Sequence, residues 1–265
     1  EKKQNIFIVF ASERRITFMS KTLILIPSRL SAVRLPNKPL LKINGLSLIN
    51  HVYKKAHATN IGDTYVVTGD KKIFEDVTKN GGNAILSYKN HFTGTDRIYE
   101  GLINLNNLNY DYILNLQGDE PLLDIEDIKN LNKKALALNF QIGTLACKIN
   151  YSKSYYDKNI VKVETNDQIS INKFSLAINF FRKTKIIKRS RVYQHIGIYI
   201  YKKKILEKIV SLKRTKNERV LKLEQLRALD NNIPINVLLA KKKPIGVDTK
   251  EDFNKVKNIL ETNNF

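Results

Sequence analysis

Three cations and two carboxylates in this 265-residue chain stand where phosphate chemistry could use them. Arg29, Arg34 and Lys38 follow at spacings of five and four, with Ser28 and Pro27, Pro36 and Pro39 among them. They come directly after the apolar run LILI at 23–26. A buried strand that opens into a proline-stiffened basic loop is the layout of an anion site at a strand's carboxyl end. Arginine offers forked donors to phosphate oxygens, and lysine a mobile point charge. Triphosphate transfer asks a protein mainly for positioning and charge neutralisation, which such a loop can supply. The plainer reading is a solvated basic loop, and the three prolines weigh against it. No G-x-x-x-x-G-K-S/T sequence occurs, so this is not a Walker loop.

Asp119 ends the run YDYILNLQGDEP, just past an apolar strand pattern. A carboxylate there is a usual ligand for a Mg²⁺ ion that bridges to substrate phosphates. The competing reading is a simple Gly118-Asp119 turn. Asp248, in GVDT, is the candidate partner 129 residues later. Thr249-x-x-Asp252 beside it also reads as a helix start, which would explain the acid without a metal. Gly94-Thr95-Asp96-Arg97 places a hydroxyl at a helix N-terminus, suited to an anion or a ribose, or to an ordinary cap. His195 lies on an aromatic, alternating strand, where a lone histidine is more often a core residue than a catalyst. No histidine has metal-ligand spacing with another or with Cys147.

Strand and helix patterns alternate over the first half. Strands are expected at 23–26, 64–68, 83–87 and 110–116, with helices near 47–56, 71–79, 95–106 and 125–138. This order argues for an α/β domain, a three-layer sandwich with a mostly parallel sheet. Ligand-bearing loops should then gather at the carboxyl ends of its strands. The second half reads as antiparallel strands at 143–149, 160–165, 168–174 and 193–201. These suggest a smaller antiparallel lobe over about 143–201. Helices follow near 202–212 and 218–229, then a strand at 235–239 and a closing helix at 249–260.

The net charge of +21 raises the question of nucleic acid. The lysines are scattered, and the dense runs at 183–191 and 241–243 lack interleaved aromatics, so no nucleic-acid partner is expected. A polyanionic small molecule uses the same field. No apolar run approaches a membrane span. The single Cys147 excludes an intramolecular disulfide and fits a reducing compartment. Residues 1–18 read as an upstream extension ahead of Met19-Ser-Lys-Thr, leaving one domain over 19–265.

The motifs IPSRLSAVRLPNKPL, TGTDR, NLQGDEP, NIVKV, HIGIY, LEQLR and GVDT, in this order, resemble the 3-deoxy-manno-octulosonate (Kdo) cytidylyltransferases. The resemblance runs from about residue 21 to the C-terminus. It implies a nucleotide-diphospho-sugar-transferase-like fold. It also implies transfer of CMP from CTP to Kdo with Mg²⁺, in a cytoplasmic homodimer that serves lipopolysaccharide synthesis. By resemblance, Arg29 and Lys38 hold the phosphates with help from Arg34, and Asp119 and Asp248 carry the metal. Ser28, Gly94, Arg97 and Gln117 would line the nucleotide. Gln117, His195, Tyr199, Glu224 and Gln225 would face the sugar. There are departures. The family reads F-S-R where this chain has Phe174-Ser175-Leu176, and a further glutamate of the family falls at Leu221. Arg182, Lys183 or Arg191 could replace the missing cation. A related acid sugar is the alternative substrate, and a non-catalytic nucleotide-binding or nucleic-acid-binding protein the alternative class.

Overall fold

The computed structural model describes residues 21–31, 34–105, 109–149, 155–182 and 189–262. The expected extension over 1–18 and Lys183 lie outside them. Strand β1 (Thr22–Ser28) is the centre of the nucleotide half, with Leu23, Ile24, Leu25 and Ile26 fully buried. Side chains alternate across a strand. Ile24 and Ile26 therefore enter one hydrophobic cluster, and Leu23 and Leu25 another. The first cluster receives helices α1 (Leu48–His57), α2 (Lys71–Lys79) and α4 (Ile125–Ala137). The second receives α3 (Gly94–Asn104) and α5 (Lys203–Ser211). Helices thus cover both faces of the sheet. Each fully buried Leu or Ile contributes about 1.5–3 kcal/mol relative to exposure.

The sheet begins as expected. Strands β5 (Ala84–Leu86), β4 (Gly62–Thr68), β1 and β6 (Tyr112–Asn115) are neighbours in that order, all parallel. Between β1 and α1 the chain makes a two-residue hairpin, β2 (Lys42–Ile43) and β3 (Leu46–Ser47). Its Asn44-Gly45 turn has φ of 48° and 76°, as a tight hairpin requires.

Beyond β6 the sheet departs from the mostly parallel expectation and becomes mixed. Strand β10 (Val192–Lys202) lies antiparallel between β6 and β7 (Ile142–Cys147). Then follow β11 (Ile235–Leu239), parallel to β7, and the antiparallel strands β9 (Ser175–Phe181) and β8 (Lys162–Thr165). The chain folds back through β8 and β9 without a crossover helix, and such returns pair antiparallel. Strand β8 also pairs with the start of β10. The segment expected as an antiparallel lobe therefore closes a five-strand ring, β10–β7–β11–β9–β8, continuous with the main sheet.

Two local expectations are corrected. The strand expected at 168–174 is a turn, in which Ser170 N–H bonds Lys173 O at 2.8 Å and Asp167 N–H bonds Ser175 Oγ at 2.8 Å. The spacing of Ile169 and Ile171 imitates a strand, but the pairing starts later. The helix expected over 218–229 is two short ones, α6 (Lys216–Leu221) and α7 (Leu226–Leu229). Lys222 breaks it with φ 52°. The last helix is α8 (Lys250–Thr262). Among the described residues no helix is long and apolar enough to cross a membrane.

The ring contains a fully buried lysine. Lys162 Nζ donates to the carbonyls of Asp157, Ile160 at 2.9 Å and Arg182 at 2.7 Å. Burial lowers its pKa, and the three carbonyls solvate the ammonium in place of water. Lys162→Met would leave those oxygens without a donor. It should cost about 2–4 kcal/mol, read as a lower midpoint in urea; an unchanged midpoint would show that the ring does not depend on this ammonium.

Candidate active site

The basic loop after β1 is aimed by its prolines. Asn37 adopts φ 54°, and a short helical turn, Lys38–Leu40, follows with Pro39 buried. Lys38 Nζ is thereby set 2.6 Å from Asp119 Oδ2, 2.8 Å from Val247 O and 3.5 Å from Asp248 Oδ1. Arg34 Nη2 pairs with the same Asp248 oxygen at 3.1 Å, at the exposed rim. Asp119 reaches this point because Gly118 lets the chain pass β1 closely; a Cβ there would lie 3.1 Å from Pro27 O. The helix-start question at Asp248 is resolved by division of labour. Thr249 and Asp252 cap α8 reciprocally, with Asp252 N–H on Thr249 Oγ1 at 3.1 Å and Thr249 N–H on Asp252 Oδ2 at 3.0 Å. The Asp248 carboxylate is left for the two cations.

Glu120 lies directly beneath. Burial, then the neighbouring Asp119 and Asp248, push its carboxyl up to about 8. Its Oε2 has no hydrogen-bond partner among the described residues.

Around this cluster lies a cleft of about 840 Å³ that includes Ser28, Arg29, Lys38, Gly94, Arg97, Gln117, Asp119, Glu224 and Asp248. The structure thus brings Ser28, Arg29, Lys38, Gly94, Arg97 and Gln117 together at the carboxyl ends of β1 and β6 and the start of α3, with Arg34 at the rim. Asp70, which sequence reasoning passed over in its Gly-Asp turn after β4, accepts Leu30 N–H at 2.9 Å and orients the root of the loop. Arg97 Nη1 donates to Ser87 Oγ at 2.7 Å. Burial and the nearby Arg29 lower its pKa, with Asp70 opposing them. The cap of α3 is Thr93, whose Oγ1 accepts Asp96 N–H at 3.1 Å. Thr95 instead gives its hydroxyl, at 2.6 Å, and its N–H, at 3.2 Å, to Glu224 Oε2.

Two of the sugar-side candidates, His195 and Tyr199, hang on β10, whose register against β7 shifts between Ile196 and Tyr199. Gly197 sits in that bulge, where a Cβ would come within 3.3 Å of Gln117 Cγ. Thr144 Oγ1 satisfies the bulge by donating to Ile198 O at 2.7 Å, so it accepts from His195 Nε2 at 3.1 Å. His195 packs against Phe180 and Tyr199, and burial lowers its pKa to about 3. It is a neutral hydrogen-bonding group and not an acid. Tyr199, Glu224 and Gln225 line a small cavity of about 10 Å³, room for about one water. The Tyr199 hydroxyl and Gln225 Nε2 have no partner there among the described residues. His195 borders Tyr199 but lines neither hollow.

Two of the conjectured replacement cations, Arg182 and Arg191, do not line the cleft, and Lys183 lies outside the described residues. Arg182 donates to the carbonyls of Lys158 and Asn159, and Arg191 to that of Asn166, all in the β8–β9 region. Leu176 is 45 % exposed on β9 and lines neither hollow. The cleft's further cations are Arg214, Arg219 and Lys222. Behind them stands an ionic network that the sequence concealed inside an apparent amphipathic helix. Arg227, 2 % exposed, grips the fully buried Glu218 through Nε at 2.9 Å and Nη2 at 2.7 Å, and reaches Asp96 at 3.2 Å.

A mixed α/β sheet with a large cleft at the strand ends of its parallel part, walled by cations and two converging carboxylates, defines a protein of the nucleotidyltransferase-like class. Comparison with known proteins narrows this. The family model described as cytidylyltransferase matches residues 23–242. The 3-deoxy-manno-octulosonate cytidylyltransferases of Brucella ovis and Rickettsia canadensis are each 37 % identical over 89 % of this chain and 94 % of theirs. A solved CMP:2-keto-3-deoxy-manno-octonic acid synthetase, complexed with CTP, superposes with a TM-score of 0.83 at 31 % identity, over 92 % of this chain and all of that one. The chain belongs to the cytidylyltransferase family, and its resemblance to the Kdo cytidylyltransferases holds across sequence and fold.

The buried imidazole gives a pH test. Unfolded, His195 protonates near 6.5; folded, it resists until about 3. The unfolded chain binds the extra proton in that window, so this group's contribution is complete above pH 6.5 and is lost as pH falls toward 3. His195→Gln should therefore flatten the decline of melting temperature between pH 6.5 and 4. Parallel curves for the two proteins would mean that the ring titrates normally.

Proposed function

We propose that this protein activates Kdo with CTP, giving CMP-Kdo and pyrophosphate for lipopolysaccharide synthesis. The observation that carries the reading is the placement of Lys38 Nζ between Asp119 and Asp248 in the cleft, within a chain of this family. In the reaction the sugar's anomeric hydroxyl attacks the α-phosphorus and loses its proton. The new P–O bond forms as the bond to the β-phosphate oxygen breaks, and pyrophosphate leaves. Arg29 and Lys38 hold the phosphates, and Lys38 is placed to offset charge that builds on the α-phosphoryl group. Arg34 supports them from the rim. Ser28, Gly94, Arg97 and Gln117 bound the nucleotide. Gln117 and Glu224 bound the acceptor sugar in the cleft, Tyr199 and Gln225 share the small cavity with Glu224, and His195 packs on Tyr199.

Mg²⁺ belongs to the same proposal. Asp119 and Asp248 already converge on one cation, which suits a hard ion that completes its shell with phosphate oxygens and water. Among the described residues no third His, Cys, Asp or Glu joins them as a protein-only cage. When bound, the ion would neutralise phosphate charge and acidify the attacking hydroxyl. The reading also carries a cytoplasmic homodimer, which sedimentation of the purified protein would test. The departure at Phe174-Ser175-Leu176 from the F-S-R of the Kdo cytidylyltransferases motivates a second reading in which the acceptor is a related acid sugar. A competition among acid sugars for CTP separates the two, and preference for another sugar over Kdo would displace the first.

Pyrophosphate release from CTP and Kdo with Mg²⁺ is the direct assay, and no turnover would sink the reading. Lys38→Ala should lower kcat by about 10²–10³, with a much smaller change in CTP affinity. Equal losses in both would assign Lys38 to ground-state binding alone. Asp119→Asn should shift the Mg²⁺ titration of activity upward by about tenfold or more. A titration that superposes on the unaltered protein's would remove Asp119 from the metal site.

A further inference from the structure

The loop from β5 to α3 holds an aromatic ring at the cleft in a way that the phosphate and sugar chemistry does not use. Phe92 is 82 % exposed and lines the cleft. Its neighbours leave it little freedom to retreat. Glu100 accepts the N–H groups of Tyr88 at 2.8 Å and Lys89 at 3.4 Å, and pairs with His91. On the other side Thr93 is fixed as the cap of α3. The ring is therefore presented to the cleft from a stapled loop.

Among the described residues the ring meets the guanidinium of Arg214, whose Cζ is 5.5 Å from the ring centroid. Arg214 is anchored as firmly as the loop. Its Nε donates to Glu218 Oε1 at 3.0 Å. Glu218 is fully buried and held by Arg227, which is in turn held to Asp96. A cation over one face of an aromatic ring is favourable. It also leaves the other face free for a second planar group. Two supports, one held by the Glu100 carboxylate and the other by the buried Glu218–Arg227 pair, thus meet at this contact beside the cleft.

We propose that the free face of the Phe92 ring is the stacking platform for the substrate's nucleobase, with Arg214 as the backing that fixes the ring's plane. The proposal rests on the reading of CTP as substrate and adds to it the residue that holds the base. Arg97 and Gly94, next along the same turn of chain, share the cleft with it, so phosphate-side cations and base platform lie on one continuous wall. Every base has a π-face, so a platform of this kind contributes affinity without choosing among bases.

The test compares CTP with inorganic triphosphate, which carries the charge but no base, as competing ligands in the presence of Mg²⁺. Phe92→Ala should weaken CTP binding about tenfold and leave the inhibition constant of triphosphate within a factor of about two. Phe92→Trp should retain CTP affinity. Phe92→Leu, which keeps apolar bulk without a π-face, should behave like Phe92→Ala. UTP should weaken in step with CTP, so the CTP-to-UTP ratio stays constant. Unchanged CTP binding in Phe92→Ala, or an equal loss for triphosphate, overturns the platform. Full CTP affinity in Phe92→Leu also overturns it. If the unaltered protein itself binds CTP no better than triphosphate and turns over no CTP, the reading of the substrate fails first, and that outcome is distinct from a platform that fails on a working enzyme.

Discussion

The cleft depends on one ammonium group. Lys38 Nζ joins the β1 loop to Asp119 and to the 247–248 segment, partners 81 and 209 positions away in the chain. Asp119, Asp248 and the buried Glu120 crowd together, and Glu120 is held up to about 8 in part by the other two. Two ionised carboxylates sharing a partly buried site repel each other unless a cation stands between them. Lys38 supplies that cation and fixes three strand-end segments with the same contacts. A group placed to balance two carboxylates in the resting protein is also well placed to balance a phosphoryl group. Structural and proposed catalytic roles therefore fall on the same atom.

Strand β10 governs the other half of the molecule. It faces β6 along its C-terminal part and β8 at its start, so one strand belongs both to the sheet and to the ring. The two units are thereby held in a fixed relation without a linker. The bulge at Gly197 brings the β10 backbone against Gln117, one turn of chain before Asp119. Two of the residues expected to face the sugar, His195 and Tyr199, are delivered by a strand that touches the loop bearing the expected metal carboxylate.

What the sequence made legible follows the range of each interaction. The strand at 23–26 and the basic loop were readable because apolar run, prolines and cations are contiguous. The alternation of strands and helices through α4 was readable because its periods are local. Antiparallel placement of β10 was not, since pairing partners are not written in a strand's own residues. Thr249-x-x-Asp252 and Asp248 could not be separated by spacing; only coordinates show that the cap is served by two of them and the cleft by the third. Glu218 and Arg227 lie nine residues apart and look like part of one amphipathic helix. The break at Lys222 folds them onto each other. Of the three cations conjectured for the sugar's acid, Arg182 and Arg191 are engaged by local backbone carbonyls, a contact that a basic run does not announce in sequence.

The first turn of α3 shows how these pieces are kept in register. Four consecutive residues tie the cleft to three other parts of the chain. Gly94 lets the turn approach Pro27, with a Cβ position only 3.4 Å from Pro27 Cγ. Thr95 binds Glu224, Asp96 binds Arg227, and Arg97 binds Ser87. A helix turn is stiff, because its backbone hydrogen bonds fix the relative directions of successive side chains. The β1 loop, the β5 loop and the 214–227 segment therefore cannot shift independently of one another. Nucleotide-side and sugar-side residues come from distant parts of the sequence, yet both are referenced to this one turn. For an in-line displacement, an error of about 1 Å between nucleophile and phosphorus already costs rate. A shared rigid reference is the simplest way for two substrate sites built from separate segments to avoid that error.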